Sequence, residues 1–251
     1  MPMRATTVRF SDELWKLLER ESAREGVSAA QFIRDATIVR TAYAMGQRGD
    51  HAFEEALGHT RGRPDGEAAE GAERRQALLD AAAAVRDPQR LEALHATGLV
   101  DSEITPSFDR LARIAAQVLN APVALVSLVD ADRQFFKSCL GLPEPWASRR
   151  ETPLSHSFCQ HAVARREPLL VDDSREHELL RDNPAIRDLG VIAYAGIPLI
   201  DADGNALGTL CVIDSRPRHW TTHQIQLLSD LAASVVTEIA LAKAAAAATG
   251  R

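Results

Sequence analysis

The sequence predicts an α+β protein whose main domain is built on a mainly antiparallel sheet. Short apolar runs suited to strands recur between residues 123 and 214, and the turn signal DADGN at residues 201–205 joins two of them as a hairpin. Helical patterns flank this region at both ends, which favours the α+β class. The chain has 251 residues, 45% of them hydrophobic and 25% charged, which allows one large or two small domains.

Residues 1–48 predict a strand followed by two helices. Residues 6–10 alternate between two faces, with Thr7 and Arg9 on the outer face, and Ser11 is placed to cap the first helix. The second helix is predicted from a capping-box pair and the apolar stripe after it, namely Ser28 with Gln31 and then Phe32, Ala36, Val39 and Tyr43. A segment of this size is too small to form a hydrophobic core by itself. We therefore expect it to dimerise, with its strand paired to that of a second copy.

This segment resembles the ribbon-helix-helix family of DNA-binding proteins, which read the major groove with a two-stranded ribbon. The resemblance implies that Thr7 and Arg9 face base edges, that Arg4 supports them, and that the amides after Ser28 hold a phosphate. Residues 1–48 carry eight Lys or Arg against six Asp or Glu, although the whole chain has a net charge of −6. The alternative is that the ribbon only dimerises the protein and that Arg9 is a solvated charge.

Residues 49–87 predict a linker that ends in a connecting helix. Glycine, charged and small residues dominate the linker without a sustained apolar face, which indicates mobility. The segment AERRQALLDAAAAV at residues 72–85 is rich in strong helix formers and predicts the connecting helix. Asp87 and Pro88 then suit an N-cap and a first helical position, so a second module begins at Pro88.

The second module is predicted over residues 88–246, followed by a short tail at 247–251. Its predicted helices cover residues 88–96, residues 106–119, a segment that begins at Phe158, and a long C-terminal stretch that begins after Thr221. The predicted strands are VALVSLVD, QFFKSC, PLLVDD, YAGIPLI and ALGTLCVID. Two capping boxes are predicted, Ser157 with Gln160 and Thr221 with Gln224. The C-terminal helix carries an apolar stripe that offers a second dimer seam, formed by Ile225, Leu228, Ala232, Val235 and Ile239.

Six ordered segments of this module resemble the GAF domain family: RLEALHATGLVD, FDRLARIAAQVLNAPVALVSLVDADRQFFKS, SFCQHAV, LLVDDSREHELLRDNP, YAGIPL and GTLCVIDSRPRHWT. The resemblance implies a central antiparallel sheet of about six strands flanked by helices. It also implies a ligand pocket between the sheet and a covering helix, which is the SFCQHAV segment. A mostly apolar cavity with a few polar groups is typical of a small-molecule site.

The candidate pocket residues come from strands, from the covering helix and from a loop. They are Phe136, Tyr194 and Cys211 on strands, Cys159 on the helix, and Asp172, Asp173 and His177 on the loop. For each of them, a place in the core or in a solvated loop is an equally good interpretation.

No metal, bilin or cyclic nucleotide is expected as a cofactor. Cys159 and His161 would lie about 200° apart on a helix, so they would not converge on one metal ion. Gln160 interrupts the adjacent Cys and His to which related domains attach bilin, and the signature that accompanies cyclic-nucleotide binding is not found. Three cysteines without paired spacing favour a reducing compartment, and the apolar runs are too short for a membrane span, so a cytoplasmic location is expected.

These features predict a one-component regulator that is not an enzyme. Its partners would be DNA, a small-molecule ligand and a second copy of the chain, with no membrane involved. One alternative is a signalling adaptor whose ribbon serves only dimerisation. Another is a reductase of free methionine sulfoxide, for which Cys139, Cys159 and Cys211 would have to supply the nucleophile and the resolving thiol.

Overall fold

The computed structural model describes residues 10–24, 29, 32–33 and 66–249. The chain divides into two compact units, Met1–Ala69 and Glu70–Arg251. In the first unit, helix α1 spans Asp12–Arg24, and Ser11 Oγ accepts a hydrogen bond from Leu14 N at 3.3 Å, which confirms the predicted cap. The candidate DNA-binding residues Arg4, Thr7, Arg9 and Ser28 lie outside the described residues, as do most of the predicted strand and second helix.

The remaining elements form one α+β domain, which confirms the predicted fold class. In chain order they are α2 (Gly66–Val85), α3 (Pro88–His95), α4 (Pro106–Val118), β1 (Val123–Val129), β2 (Arg133–Leu140), α5 (Trp146–Arg149), β3 (Glu151–Pro153), a 3-10 turn (Leu154–His156), α6 (Cys159–Arg165), β4 (Leu169–Val171), α7 (Ala185–Asp188), β5 (Ala193–Ile200), β6 (Ala206–Asp214) and α8 (Thr222–Thr249).

The six strands form one antiparallel sheet in the order β3-β2-β1-β6-β5-β4. Strands β1 and β6 occupy its centre, and β1 is buried along its whole length. A bulge in β2 opposite Val126 and Ser127 leaves Lys137 without a partner in β1. Because an inserted residue shifts the alternation of a strand, the bulge sends Phe136 to one face of the sheet and Ser138 to the other.

Each face of the sheet carries its own apolar core. Helices α3, α4 and α8 cover one face, which we call the helix face. Helix α6, the loops around it and Val85 at the end of α2 cover the other, which we call the pocket face. Both faces of the sheet are thus covered, and α6 lies over the pocket face as the resemblance implied.

Helix α8 begins with the predicted capping box. Gln224 N donates to Thr221 Oγ1 at 3.3 Å, and Thr221 N donates to Gln224 Oε1 at 3.1 Å. The predicted stripe is buried in the helix face, with Leu228 and Val235 fully covered. The expectation that this stripe offers a second dimer seam is therefore wrong, because the chain's own sheet and α4 already cover it.

Helix α8 also has the length and composition of a membrane-spanning helix. Residues Thr222–Ala248 have a mean hydropathy of 1.5, a property that the sequence interpretation missed because it considered only uninterrupted apolar runs. The stripe up to Ile239 is buried, but only 17% of this apolar window is buried in all. Beyond it the helix is rich in alanine, and Leu241 is 60% exposed.

Candidate functional site

The start of α6 fixes the position of Cys159. Ser157 Oγ accepts from Gln160 N at 3.0 Å, so half of the predicted capping box is present. The Gln160 side chain donates to the carbonyl oxygens of Leu154 and Ser157 and does not return to Ser157 N, which donates to Leu154 O instead. The helix therefore begins at Cys159, one residue later than predicted, and the thiol lies in its first turn.

Cys159 is the centre of a buried polar group of side chains on the pocket face. Its Sγ lies 3.9 Å from Cys211 Sγ on β6, and Tyr194 on β5 donates its hydroxyl to Cys159 Sγ at 3.2 Å. The buried hydroxyls of Ser127 and Thr209 make no hydrogen bond to any group in the described part of the chain. Both lie close enough to Cys159 to favour its charged form. We call these five residues the thiol cluster.

A glycine makes room for the tyrosine of the cluster. Gly196 follows Tyr194 on the same face of β5, and a Cβ atom at Gly196 would lie 2.1 Å from the Tyr194 hydroxyl oxygen. A side chain at this position would displace the ring, since such a separation is far inside van der Waals contact. The absence of a side chain thus lets the hydroxyl lie along the strand and reach Cys159.

The surroundings of the two sulfur atoms shift their pKa values in opposite directions. Burial opposes ionisation of Cys159, but the Cys211 thiol and the nearby hydroxyls of Thr209, Tyr194 and Ser127 favour the thiolate and lower its pKa from 9.0 to about 7. The hydrogen bond to Cys159 and then burial raise the pKa of Cys211. Cys159 is therefore the thiol of the pair that ionises more readily.

A small cavity opens beside Cys159. Its volume is about 20 Å³, and its walls include Phe136, Phe158 and Tyr194 together with the polar side chain of Thr152. A site for a metabolite usually has several hundred Å³, whereas this volume suits one or two water-sized molecules. In this conformation the cavity is smaller than a typical metabolite site, and the expected small-molecule ligand stays a prediction.

The structure brings the candidate residues on the strands and the helix together. Phe136, Cys159 and Tyr194 line the cavity, and Cys211 lies next to Cys159. Gln134, Thr152 and His156 also line it but were not predicted. The cluster residues Ser127 and Thr209 were missed too, although a hydroxyl residue inside each of two apolar strands is a readable signal.

The three loop candidates do not line this cavity. Asp172 is half exposed and accepts from His219 Nδ1 at 3.0 Å, and Asp173 pairs with Arg175 at 2.5 Å. His177 accepts a hydrogen bond from the backbone of Leu179 through its Nδ1 at 3.2 Å. The reason is that β4 ends at Val171, so these residues leave the sheet at its edge and stabilise the loop instead.

His161 lies on the side of α6 that faces away from the thiol cluster. It lines a cleft of about 290 Å³ together with Ala77, Asp80 and Ala81 of α2. Cys159 and His161 therefore diverge, as the helical geometry predicts. Within the described ranges, the structure contains no group of three or more His, Cys, Asp or Glu side chains that could bind a metal ion.

The fold defines the class of the second unit: an α+β domain with one antiparallel sheet, helices on one face and a short helix over a cavity on the other. The chain belongs to the GAF domain family, whose model matches residues 103–239, more than half of its length. The chain thus contains a GAF sensor domain.

The chain is similar to several known proteins. The chain is 35% identical over 122 residues to a cyclic di-GMP phosphodiesterase of Pseudomonas aeruginosa, a match that covers 48% of this chain and 20% of that protein. The chain thus spans about a fifth of the length of this relative. The GAF domain of a phosphoenolpyruvate-protein phosphotransferase from Coxiella burnetii is 20% identical, with 63% and 96% coverage and a TM-score of 0.49. Its counterpart from Acinetobacter is 18% identical, with 64% and 98% coverage and a TM-score of 0.47.

Proposed function

We propose that the chain is a one-component regulator. Its GAF domain senses a small molecule or the redox state, and a dimeric ribbon-helix-helix module at its N-terminus binds DNA. The thiol cluster is the observation that carries the sensory part of this proposal. A buried hydroxyl without a partner costs about 1 to 3 kcal/mol, so an apolar core would be more stable without Ser127 and Thr209. Their presence around a nucleophilic thiol favours a chemical role for the cluster.

Helix α2 is the element through which the GAF domain would act on the N-terminal module. Arg74 of α2 donates to Leu179 O at 3.3 Å and pairs with Asp182 at 2.5 Å. At the end of the same helix, Val85 is buried in the core of the pocket face, to which Cys159 also belongs. A shift of α6 over the sheet would therefore change the packing of α2. Coupling between two sites requires an element whose conformational equilibrium both sites affect, and α2 would be that element.

Dimerisation of the first unit is supported by the surface of α1. Leu14, Trp15 and Leu17 are each about 40% exposed on this helix. Three large apolar side chains exposed on one short helix favour burial against a second copy. We expect the mass of a dimer in light scattering at micromolar concentration, and the mass of a monomer would contradict this part of the proposal.

Selection of genomic DNA fragments by the full-length protein tests the DNA-binding part. In the ribbon-helix-helix arrangement, Arg9 and Thr7 face base edges, Arg4 supports them and the amides after Ser28 hold a phosphate. A contact from Arg9 to guanine is worth about 1 to 3 kcal/mol of discrimination. We therefore expect Arg9→Ala to abolish sequence preference and to leave the dimer intact. Binding should also weaken as salt rises, with a slope of about 0.9 for each phosphate neutralised.

Arg24→Ala is the matched control, because it removes the same charge from an exposed position on α1 where Arg24 pairs with Glu21. It should retain the sequence preference of the wild type. If the wild type enriches no fragment over Arg9→Ala, the ribbon serves dimerisation only and the chain is a signalling adaptor.

A further inference from the structure

We propose that Cys159 and Cys211 are a peroxide-responsive pair: hydrogen peroxide that enters the cavity oxidises Cys159, which then forms a disulfide with Cys211. This inference rests on the sensory function proposed above and names the chemical signal. It follows from three features of the pocket face, which are the distance between the sulfur atoms, the size of the cavity and the donors around Cys159.

The two sulfur atoms are close enough to bond after a small movement. They lie 3.9 Å apart, and a disulfide requires about 2.05 Å. Cys159 is in the first turn of α6, and Cys211 lies near the middle of β6, where it pairs with Gly196 and Leu125 on the neighbouring strands. The central strand is held on both sides, so most of the movement falls to Cys159 and the start of α6. The disulfide would pull α6 towards the sheet.

The size of the cavity selects the oxidant. A volume of about 20 Å³ admits a molecule of two heavy atoms and excludes a metabolite of ordinary size. Hydrogen peroxide has two heavy atoms and needs hydrogen-bond partners. Thr152 lines the cavity, and its buried hydroxyl makes no hydrogen bond to any group in the described part of the chain. It is thus free to bind a small polar molecule next to Cys159.

The chemistry balances with hydrogen peroxide as the only co-reactant. The Cys159 thiolate attacks one peroxide oxygen, so an S–O bond forms and the O–O bond breaks. The hydroxide that leaves takes up a proton and becomes water, and Cys159 becomes a sulfenic acid. The Cys211 sulfur then attacks Cys159, the S–S bond forms and the S–O bond breaks. The hydroxyl leaves with the Cys211 proton as a second water, so two thiols are oxidised and one peroxide is reduced.

The third cysteine provides an internal control. Cys139 lies on β2, where it lines a different cleft together with Asp109, Arg113 and Lys137. Burial raises the pKa of its thiol to about 11, whereas that of Cys159 is about 7. At neutral pH the thiolate fraction of Cys139 is therefore much smaller, and its oxidation should be slower by orders of magnitude.

The experiment treats the reduced full-length protein with one equivalent of hydrogen peroxide at neutral pH, followed by differential alkylation and peptide mass spectrometry. We expect a disulfide within one chain between Cys159 and Cys211, with the loss of two hydrogen atoms, while Cys139 stays free. In Cys211→Ser, a sulfenic acid at Cys159 should be trapped by dimedone. In Cys159→Ser, no disulfide should form. The proposal would be overturned if Cys139 were oxidised before Cys159, or if the disulfide formed between two chains.

Two further measurements separate chemistry from a general loss of structure. As the pH increases towards 7, the oxidation rate of the wild type should increase about tenfold per pH unit, and above pH 7 it should level off. Thiolate formation at Cys159 requires this dependence. Tyr194→Phe removes one donor to the thiolate and should slow oxidation at pH 7 by about tenfold, with a melting temperature near that of the wild type. A rate that does not change with pH would contradict attack by Cys159.

DNA-fragment selection with the reduced and the oxidised protein distinguishes failure of this inference from failure of the proposed regulator. If the disulfide forms but neither state selects DNA, the peroxide chemistry stands and the regulator does not. If DNA is selected but no disulfide forms, the thiol pair is not the sensor and the regulator responds to another ligand.

Discussion

Acid should destabilise the protein through His161. The side chain is 2% exposed, and its Nε2 makes no hydrogen bond within the described residues. Burial, and then the positive charges of Arg165 and His177, lower its pKa from 6.5 to about 4. Asp80 of α2 lines the same cleft but does not reverse this effect. His161 is therefore neutral in the folded protein at any pH above about 4.

The sign of the effect follows from proton binding. In the unfolded chain His161 binds a proton below pH 6.5, whereas in the folded protein it does so only below about pH 4. Between these values the unfolded state binds more protons, so the free energy of unfolding falls as the pH falls. The pKa values differ by about 2.5, and each pKa unit is worth about 1.36 kcal/mol. His161 therefore accounts for a loss of about 3 kcal/mol between pH 6.5 and pH 4.

Urea unfolding at several pH values measures this loss. Trp220 is buried in the core of the helix face and provides a fluorescence signal for the folded domain. The glutamine in His161→Gln cannot be protonated. Between pH 6.5 and pH 4, the free energy of unfolding of this variant should therefore fall by about 3 kcal/mol less than that of the wild type. His223 is exposed, and His223→Gln is the matched control that should follow the wild type. Parallel curves for the wild type and His161→Gln would refute the reasoning.

Two further predictions concern the packing of the domain. Gly208→Ala should destabilise the protein by about 3 kcal/mol or more, because the new Cβ would lie 1.9 Å from the carbonyl oxygen of Ser127. Gly204 has open space around it, so Gly204→Ala should cost only about 1 to 2 kcal/mol, which comes from its left-handed backbone conformation. Leu228→Ala should lower the free energy of unfolding by about 2 to 5 kcal/mol, since this side chain is fully buried. Leu241→Ala, at a 60% exposed position on the same helix, should change it by less than about 0.5 kcal/mol, and equal effects at the two positions would contradict the observed packing of α8.

The sheet and several caps could be predicted from the sequence because they depend on local patterns. Strand β6 was predicted over the residues that form it, Ala206–Asp214. Asp87 caps α3 by accepting from Arg90 N at 2.8 Å, as the Asp-Pro pair predicts. The stripe on α8 was correct in its residues but wrong in its partner. Periodicity identifies the apolar face of a helix and says nothing about which surface covers it.

Features that depend on the whole fold could not be predicted. Strand β3 has three residues, too few for alternation to be visible. The bulge at Lys137 decides which face Phe136 occupies, and a one-residue shift leaves no mark in composition. The size of the cavity depends on how Phe158 and Tyr194 pack, with ring centroids 5.4 Å apart. The exposed edge of the sheet at Asp172 likewise depends on where β4 ends.

Helix α6 links two different chemical groups to one movement. On its sheet side, bond formation by Cys159 would draw the helix towards β6, and on its other side His161 faces α2 across the cleft. A helix of seven residues cannot change its contact on one side without moving the side chains on the other. Oxidation of the thiol pair would therefore alter the surroundings of His161 and the packing of α2. The proposed chemistry would also account for the two buried hydroxyls without hydrogen bonds, since their cost would be offset where the nearby charged form of Cys159 is used.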